Sequence, residues 1–471
     1  MNATLLGVTV YIIAQLLVGA WVARRIRTED DYLIAGRRLG YPLAIFTIFA
    51  TWFGAETCIG AAGAIYEDGL AGGSADPFGY AICLFLMGAV FAVPLWKRKL
   101  TTLADLFRQR FSPGVERLAV LLMVPTSLLW AAAQIRAFGQ VLSASSDLAV
   151  HVTITIAALV VIVYTISGGL LADAITDLIQ GIALILGLGV LFAAIVVFGG
   201  GVDALAAVPP ERLQPLGGGV VPWYEVAEAW AIPIFGSVVA AELVARVVAT
   251  RSPHVAQRSF LAAGGVYLLV GLIPVSMGLL GAVAMPGLEE PEQVLPLLAQ
   301  QHLPPLLYTM FAGALISAIL STVDSTLLVS ASLVSHNIVV PLRPGMTEAH
   351  KVRAARLGVA SFGIVAYGMA LYADGVYALV EQASAFGSAG IFVIVAFGLF
   401  SPRGGAGSAF AALTAGVVMW VVGSYVLELP FAYLAALAGA AVAYLIVSVF
   451  EGAENGSFTP ESRRSAEAVG G

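Results

Sequence analysis

The sequence predicts an all-α integral membrane protein of about thirteen transmembrane helices, and three observations predict it. Of its 471 residues 59% are hydrophobic and only 11% charged, more apolar surface than a soluble chain can hide. Apolar runs of spanning length recur along the chain, separated by short polar connections. Lys and Arg gather in alternate connections, the charge asymmetry expected of a polytopic protein.

At about 20 apolar residues per span, the first falls near 3–22. It has no basic stretch before it, so it reads as a retained span and not a cleaved signal. The others fall near 41–66, 75–95, 115–141, 150–167, 175–198, 225–248, 259–284, 305–335, 354–373, 376–400, 406–427 and 429–450. The transporter domain is expected to occupy 1–450, with a disordered polar tail at 451–471. Cys58 and Cys83 lie in apolar segments, which argues against a disulfide framework.

With the N-terminus outside, 21 of the 23 Lys and Arg fall on the inner side, among them Arg37, Lys97, Arg246, Arg251 and Arg356. Arg212 is left outside and Arg136 within a span. This orientation leaves the C-terminus in the cytoplasm. The segment from Trp96 to Phe111 is read as an inner amphipathic helix lying against the membrane.

Two spans look broken. The second runs from Ala50 to Gly63 with Gly54, Gly60 and Gly63 beside Glu56; the seventh contains Pro233, Gly236 and Ser237, followed by Glu242. They open two successive five-span blocks, 41–198 and 225–400, flanked by 1–40 and by two extra spans at 406–450. Successive blocks with an odd number of spans have inverted topology. Interrupted spans at matching places point to a transporter site near the bilayer midplane.

The ninth span carries hydroxyls and an acid at its middle. Ala318, Ser321, Thr322 and Ser325 share one helical face, with Asp324 at its edge. Hydroxyl and carboxylate oxygens suit a hard cation, and small residues let a second helix bring its carbonyls near. The alternative is hydroxyls that bond their own helix or a neighbouring one. Asp177 lies one turn into the sixth span and is read as a cation ligand, while Asp173 is read as a helix cap or a structural acid. Glu56 and Arg136 either pair with each other or hold the charged ends of a solute. Trp52, Tyr80 and Trp130 form an apolar wall with cation–π capability, or simply pack. The histidines lie in loops or at span ends and no phosphate-cradling motif is present, so metalloenzyme and ATP-driven readings fail.

The segment from Gly168 to Gln180 resembles the signature of the sodium:solute symporter family. The stretches Ala318–Ser325 and Ala50–Gly63 are similar to its two sodium-site helices. The resemblance implies the leucine-transporter fold of two inverted five-helix repeats, with sodium as co-transported ion. Carried over, it places sodium on the carbonyls of Ala50, Phe53 and Ala318 and the hydroxyls of Ser321 and Thr322. A second cation site would use Asp177 with Ser321, Asp324 and Ser325, although the family more often has a hydroxyl where Asp324 stands. Local wording is most similar to the choline branch, whose aromatics match Trp52, Tyr80 and Trp130. The aromatic expected in the seventh span is replaced by Val239-Ala-Ala-Glu242, and Arg136 stands where a small residue is usual. An arginine there suits a carboxylate or zwitterion. The solute-contacting set is thus Trp52, Glu56, Thr57, Tyr80, Trp130, Gln134, Arg136 and Glu242.

The expectation is a sodium-coupled importer of a small zwitterionic, cationic or carboxylate solute. It would lie in a bacterial-type inner membrane, function as a monomer in the bilayer, catalyse no reaction and bind no nucleic acid. Two rivals stand beside it: a proton-coupled carrier using Glu56, Glu242 and Asp324, and a solute sensor.

Overall fold

The computed structural model describes residues 28–451 apart from 74, 147, 168, 169, 199 and 217–220, with isolated positions 10, 13 and 17. The first expected span and the tail beyond Glu451 therefore lie outside the described residues. So do the glycines Gly168 and Gly169 of the signature segment.

Helix follows helix from α1 (Tyr41–Trp52) and α2 (Glu56–Asp68) to α3 (Leu70–Lys97) and the short α4 (Leu103–Arg110). Next come α5 (Pro113–Ala144), α6 (Val150–Ser167) and α7 (Leu170–Phe192). The second half begins with α8 (Trp223–Ala231) and α9 (Ala241–Ala249), then α10 (Pro253–Ala284), α11 (Pro305–Val334) and α12 (Glu348–Tyr372). It ends with α13 (Val376–Ala385), α14 (Ser388–Phe400), α15 (Ala406–Tyr425) and α16 (Ala432–Glu451).

Among the described residues nine helices are long and apolar enough to cross a membrane, and two bent pairs raise this to 11. The pairs are α1 with α2, bent by 48°, and α13 with α14, bent by 41°. Each expected span from the second onward has a helical counterpart, although the apolar helix at 150–166 is shorter than the nine.

Burial sorts these helices. Every residue of α11 from Phe311 to Leu333 is buried, so this helix is wrapped on all sides by α5, α7, α12 and α1. In α7 and α12, by contrast, Ile182, Leu186, Leu357 and Ile364 are exposed. Bare aliphatic faces of this kind require lipid as their solvent. Helices α15 and α16 pack chiefly on each other and on α14, at the periphery.

Two expectations are corrected here. The amphipathic segment is not one helix: α3 ends at Lys97, α4 starts at Leu103, and the apolar residues Leu103, Leu106 and Phe107 are buried against protein, not laid on lipid. Asp105 starts that helix by accepting the N–H groups of Thr101 and Thr102 at 2.8 and 2.9 Å. Its carboxyl is also bonded by Asn337, which reaches on to Glu116. Burial alone would raise its pKa, but the hydrogen bond and charge of His336 and the two N–H groups outweigh this and hold it below the ordinary 3.8. Second, the span at 376–400 reads as continuous but is broken at Phe386–Gly387. Gly387 there has φ +69°, a left-handed conformation that favours glycine.

Candidate functional site

The expected break in the second span falls at Phe53, whose φ of −96° and ψ of 72° leave the helix. Leaving it frees backbone groups that must find partners. Gly54 donates its N–H to Glu56 Oε1 at 3.2 Å, and Ala55 donates to Gln134 Oε1 at 2.9 Å. Gln134 Nε2 donates in turn to Glu56 Oε2 at 2.8 Å. From α11, Thr322 Oγ1 lies 3.3 Å from the Ala50 carbonyl and 3.2 Å from the Ala318 carbonyl. A methyl carbon on Gly54 would stand 2.5 Å from Thr322 Oγ1, 2.8 Å from Gln134 Oε1 and 2.9 Å from Glu56 Oε2. The break is therefore an oxygen-lined notch that only glycine leaves open.

The sodium set expected from the sequence is thus mostly brought together: Ala50, Ala318 and Thr322 meet, with Phe53 at the unwound turn. Ser321 differs, because its hydroxyl donates to Asp177 Oδ1. A hydroxyl that donates its proton keeps lone pairs for a cation.

A second cluster lies beyond Ser321. Asp177 Oδ2 accepts Thr47 Oγ1 at 2.5 Å, and Thr51 Oγ1 is 3.4 Å from Ser325 Oγ. The unexpected member is Arg246, fully buried on α9. Its Nη2 lies 2.5 Å from Asp173 Oδ2 and 3.7 Å from Asp177 Oδ2, and also donates to Ser325 Oγ. Ser325 Oγ donates to the same Asp173 oxygen at 2.9 Å. Asp324, 3% exposed, is buried beside this cluster, next to Ser325 in the chain. Arg246 is therefore not one of the basic residues of the membrane-flanking segments, where its run of neighbours Arg251 and Arg258 placed it. Asp173 sits inside α7 and does not cap it.

Above the notch the three expected aromatics do converge. Ring centroids of Trp52 and Trp130 are 4.9 Å apart, those of Trp52 and Tyr80 6.0 Å, and those of Tyr80 and Trp130 6.4 Å. Tyr80 Oη bonds Ser384 at 3.1 Å, which bonds Ser237 of the seventh span at 3.1 Å. That span is irregular where expected: its backbone forms a wide turn over Ile232–Gly236 and leaves helical geometry at Ala240. A cavity beside it is lined by Glu56, Ala75, Tyr80, Ala229, Ile232, Pro233, Tyr377, Val380 and Glu381.

Other expected solute contacts are elsewhere. Thr57 is engaged with Asp76 at 2.9 Å and Tyr267 at 2.6 Å, and Glu242 accepts Ser127 at 2.5 Å beside a different cavity. Arg136 does not pair with Glu56. It lies 3.7 Å from Glu292 and bonds the Asp374 carbonyl at 3.4 Å. Burial pushes the Glu292 carboxyl above the ordinary range, while the Val376 N–H and Arg136 pull it back.

Arg246, Glu381, Tyr377 and Asp76 were missed by sequence reasoning. A signal existed for Glu381, an acid within an apolar run. Asp76 carried the same signal at the start of the expected span 75–95, and Arg246 was disguised by its basic neighbours.

Comparison with known proteins agrees with this geometry. The model of the Sodium:solute symporter family matches residues 32–416. The chain is similar to the High-affinity choline transporter 1 of Caenorhabditis elegans, at 26% identity, over 89% of this chain and 78% of that one. It is 29% identical to the High affinity choline transporter 1 of Homo sapiens over 71% of this chain, and spans 61% of that relative's length. In three dimensions it matches a Na+-coupled sialic acid symporter solved in a substrate-bound outward-open state. The TM-score is 0.81 at 19% identity, with 95% of this chain and 97% of that one covered.

The family model over residues 32–416 gives the class, the sodium-coupled secondary transporters. Within it, the chain belongs to the sodium:solute symporter family. Sodium-coupled symport of a small solute is the function that membership carries, with Na+ as the co-transported ion.

Proposed function

We propose that the solute carries a positive charge, as an onium or zwitterion, and binds between the aromatic triangle and two carboxylates, the buried Glu56 and the exposed Glu381. One observation carries this reading: the cavity beside the broken helices holds Glu56 and Glu381 among Tyr80 and Tyr377, while Arg136 is drawn away to Glu292. A carboxylate solute would meet two acids there, and no Lys or Arg is among the described residues that line the cavity. An onium group gains from both acids and from the faces of Trp52, Tyr80 and Trp130, a contact worth about 0.5–2 kcal/mol per ring. The choline transporters among the relatives are consistent with such a cargo.

Sodium is held in this reading by the carbonyls of Ala50, Phe53 and Ala318 with Thr322 and Ser321. Trp52 sits on the last turn of α1 between two of those carbonyls, so ordering the turn for the ion also orders the ring for the solute. Each ligand then raises the affinity of the other, and by linkage the factor is the same in both directions. The blocks 41–198 and 225–400 move against each other around this point, and each sodium entering releases about 2.3 kcal/mol per 100 mV. The protein works as a monomer with its N-terminus outside and its C-terminus in the cytoplasm, in keeping with the basic residues at that side.

The test is thermal stability of the purified protein with choline, betaine, proline and monocarboxylates, with and without sodium. A cationic or zwitterionic solute should raise Tm, and more so in sodium. Glu381→Gln should weaken this shift while leaving the response to sodium alone. Stabilisation by monocarboxylates only would overturn the charge assignment.

A further inference from the structure

The second cluster makes sense once its charges are counted. Asp173, Asp177 and Asp324 are all at most 3% exposed, and carboxylates so buried demand a counter-charge. Around them stand Thr47, Ser321 and Ser325, the hydroxyl complement of a cation site. Yet the position among these oxygens is taken by the Arg246 guanidinium, whose Nη2 touches Asp173, Asp177 and Ser325 together.

We propose that Arg246 is a resident cation that fills the second ion site, so that this carrier moves one sodium per solute. The inference rests on the sodium site at Ala50, Ala318 and Thr322, and extends it to the ion count. A guanidinium is permanently charged, cannot leave, and offers forked donors to carboxylate oxygens. A sodium ion would need oxygens of Asp177 and Ser325, and Nη2 already stands against both.

The placement has a further consequence. Arg246 is the sixth residue of α9, the half-helix beyond the seventh-span break, whereas its partners lie on α7 and α11. The charge that a second sodium would bring in and release with each cycle is here carried by a moving element of the protein. Swinging α9 away from α7 would expose the carboxylates without a cation, which ties movement of this half-helix to the state of the first site through Ser321.

The deciding measurement is the ratio of radioactive sodium to solute taken up by wild-type protein in liposomes under zero membrane potential. The solute used is the one that gives the thermal shift above. A ratio of one supports the proposal. A ratio of two overturns it while leaving sodium coupling intact, and a ratio of zero overturns sodium coupling itself. The variant Arg246→Ala supplies a second, independent reading. With the site vacated, sodium stimulation of solute binding should steepen from a Hill coefficient near one towards two, and added guanidinium ion should reverse the change. Unchanged, non-cooperative sodium dependence in a folded Arg246→Ala protein would count against the assignment. If that variant does not fold, the wild-type ratio alone decides.

Discussion

At the residue scale, the candidate sodium site turns on a few oxygens around Gly54 and Thr322. Thr322→Val keeps the side-chain shape and removes the hydroxyl that meets the Ala50 and Ala318 carbonyls. It should weaken sodium binding by about tenfold, equivalent to about 1.4 kcal/mol, with little loss of folded protein, as titrating the sodium-dependent Tm will show. Gly54→Ala should be worse, since its methyl lands among three oxygens at 2.5–2.9 Å. A Gly54→Ala protein with normal sodium response would remove the notch from the mechanism. Much of this was legible in the sequence, because hydroxyls spaced three and four apart must share a helical face. What could not be read was pairing across the bundle. Arg136 looked like a partner for Glu56, but Glu292 and the Asp374 carbonyl reach it first from connections distant in sequence. Local pattern fixes a side chain's face and says nothing of which distant acid arrives there.

At the element scale, breaks were predictable where glycine or proline met an acid, as at Gly54 and Pro233. The bend at Gly387 went unseen because one glycine in a long apolar run is ordinary in membrane helices. Short helices were the least legible, since α4 shows amphipathic periodicity but its apolar face turns to protein. Its start supplies a prediction. Asp105→Ala removes the acceptor of two N–H groups and should cost about 1–2 kcal/mol. Asp105 has a depressed pKa, so its contribution is complete above 3.8 and lost as pH falls through the folded-state value. The gap in Tm between wild type and variant should therefore be full at neutral pH and close in acid. A gap that persists unchanged far into acid would mean that the side chain acts by packing.

For the whole molecule, the exposed aliphatic faces of α7 and α12 and the wrapped stretch Phe311–Leu333 of α11 divide lipid-facing from load-carrying parts. The composition forecasts the membrane class, and the family's motifs forecast the fold. Hydropathy predicts thirteen spans, of which nine to 11 stand among the described residues, and the orientation rests on the basic residues alone. Fusing a fluorescent protein after Glu451 checks the orientation. It should fluoresce, as it would on the cytoplasmic side, and a dark fusion with an active alkaline phosphatase counterpart would invert the topology.

Arg212 is the basic residue that the orientation leaves on the outer side, and the structure gives it a task. Its guanidinium bonds the carbonyls of Ile65, Tyr66 and Glu67 at 3.1, 2.6 and 3.2 Å, the last of α2. A positive charge at that end offsets the negative pole of the half-helix. The donor belongs to the connection that precedes α8, so one broken helix is tethered by the strand of chain that delivers the other. Tilting α2 away from Arg212 would have to break these three bonds. The two unwound helices are in this sense harnessed together from outside, and cutting the harness with Arg212→Gln should leave both ligands able to bind while slowing the step that carries them across.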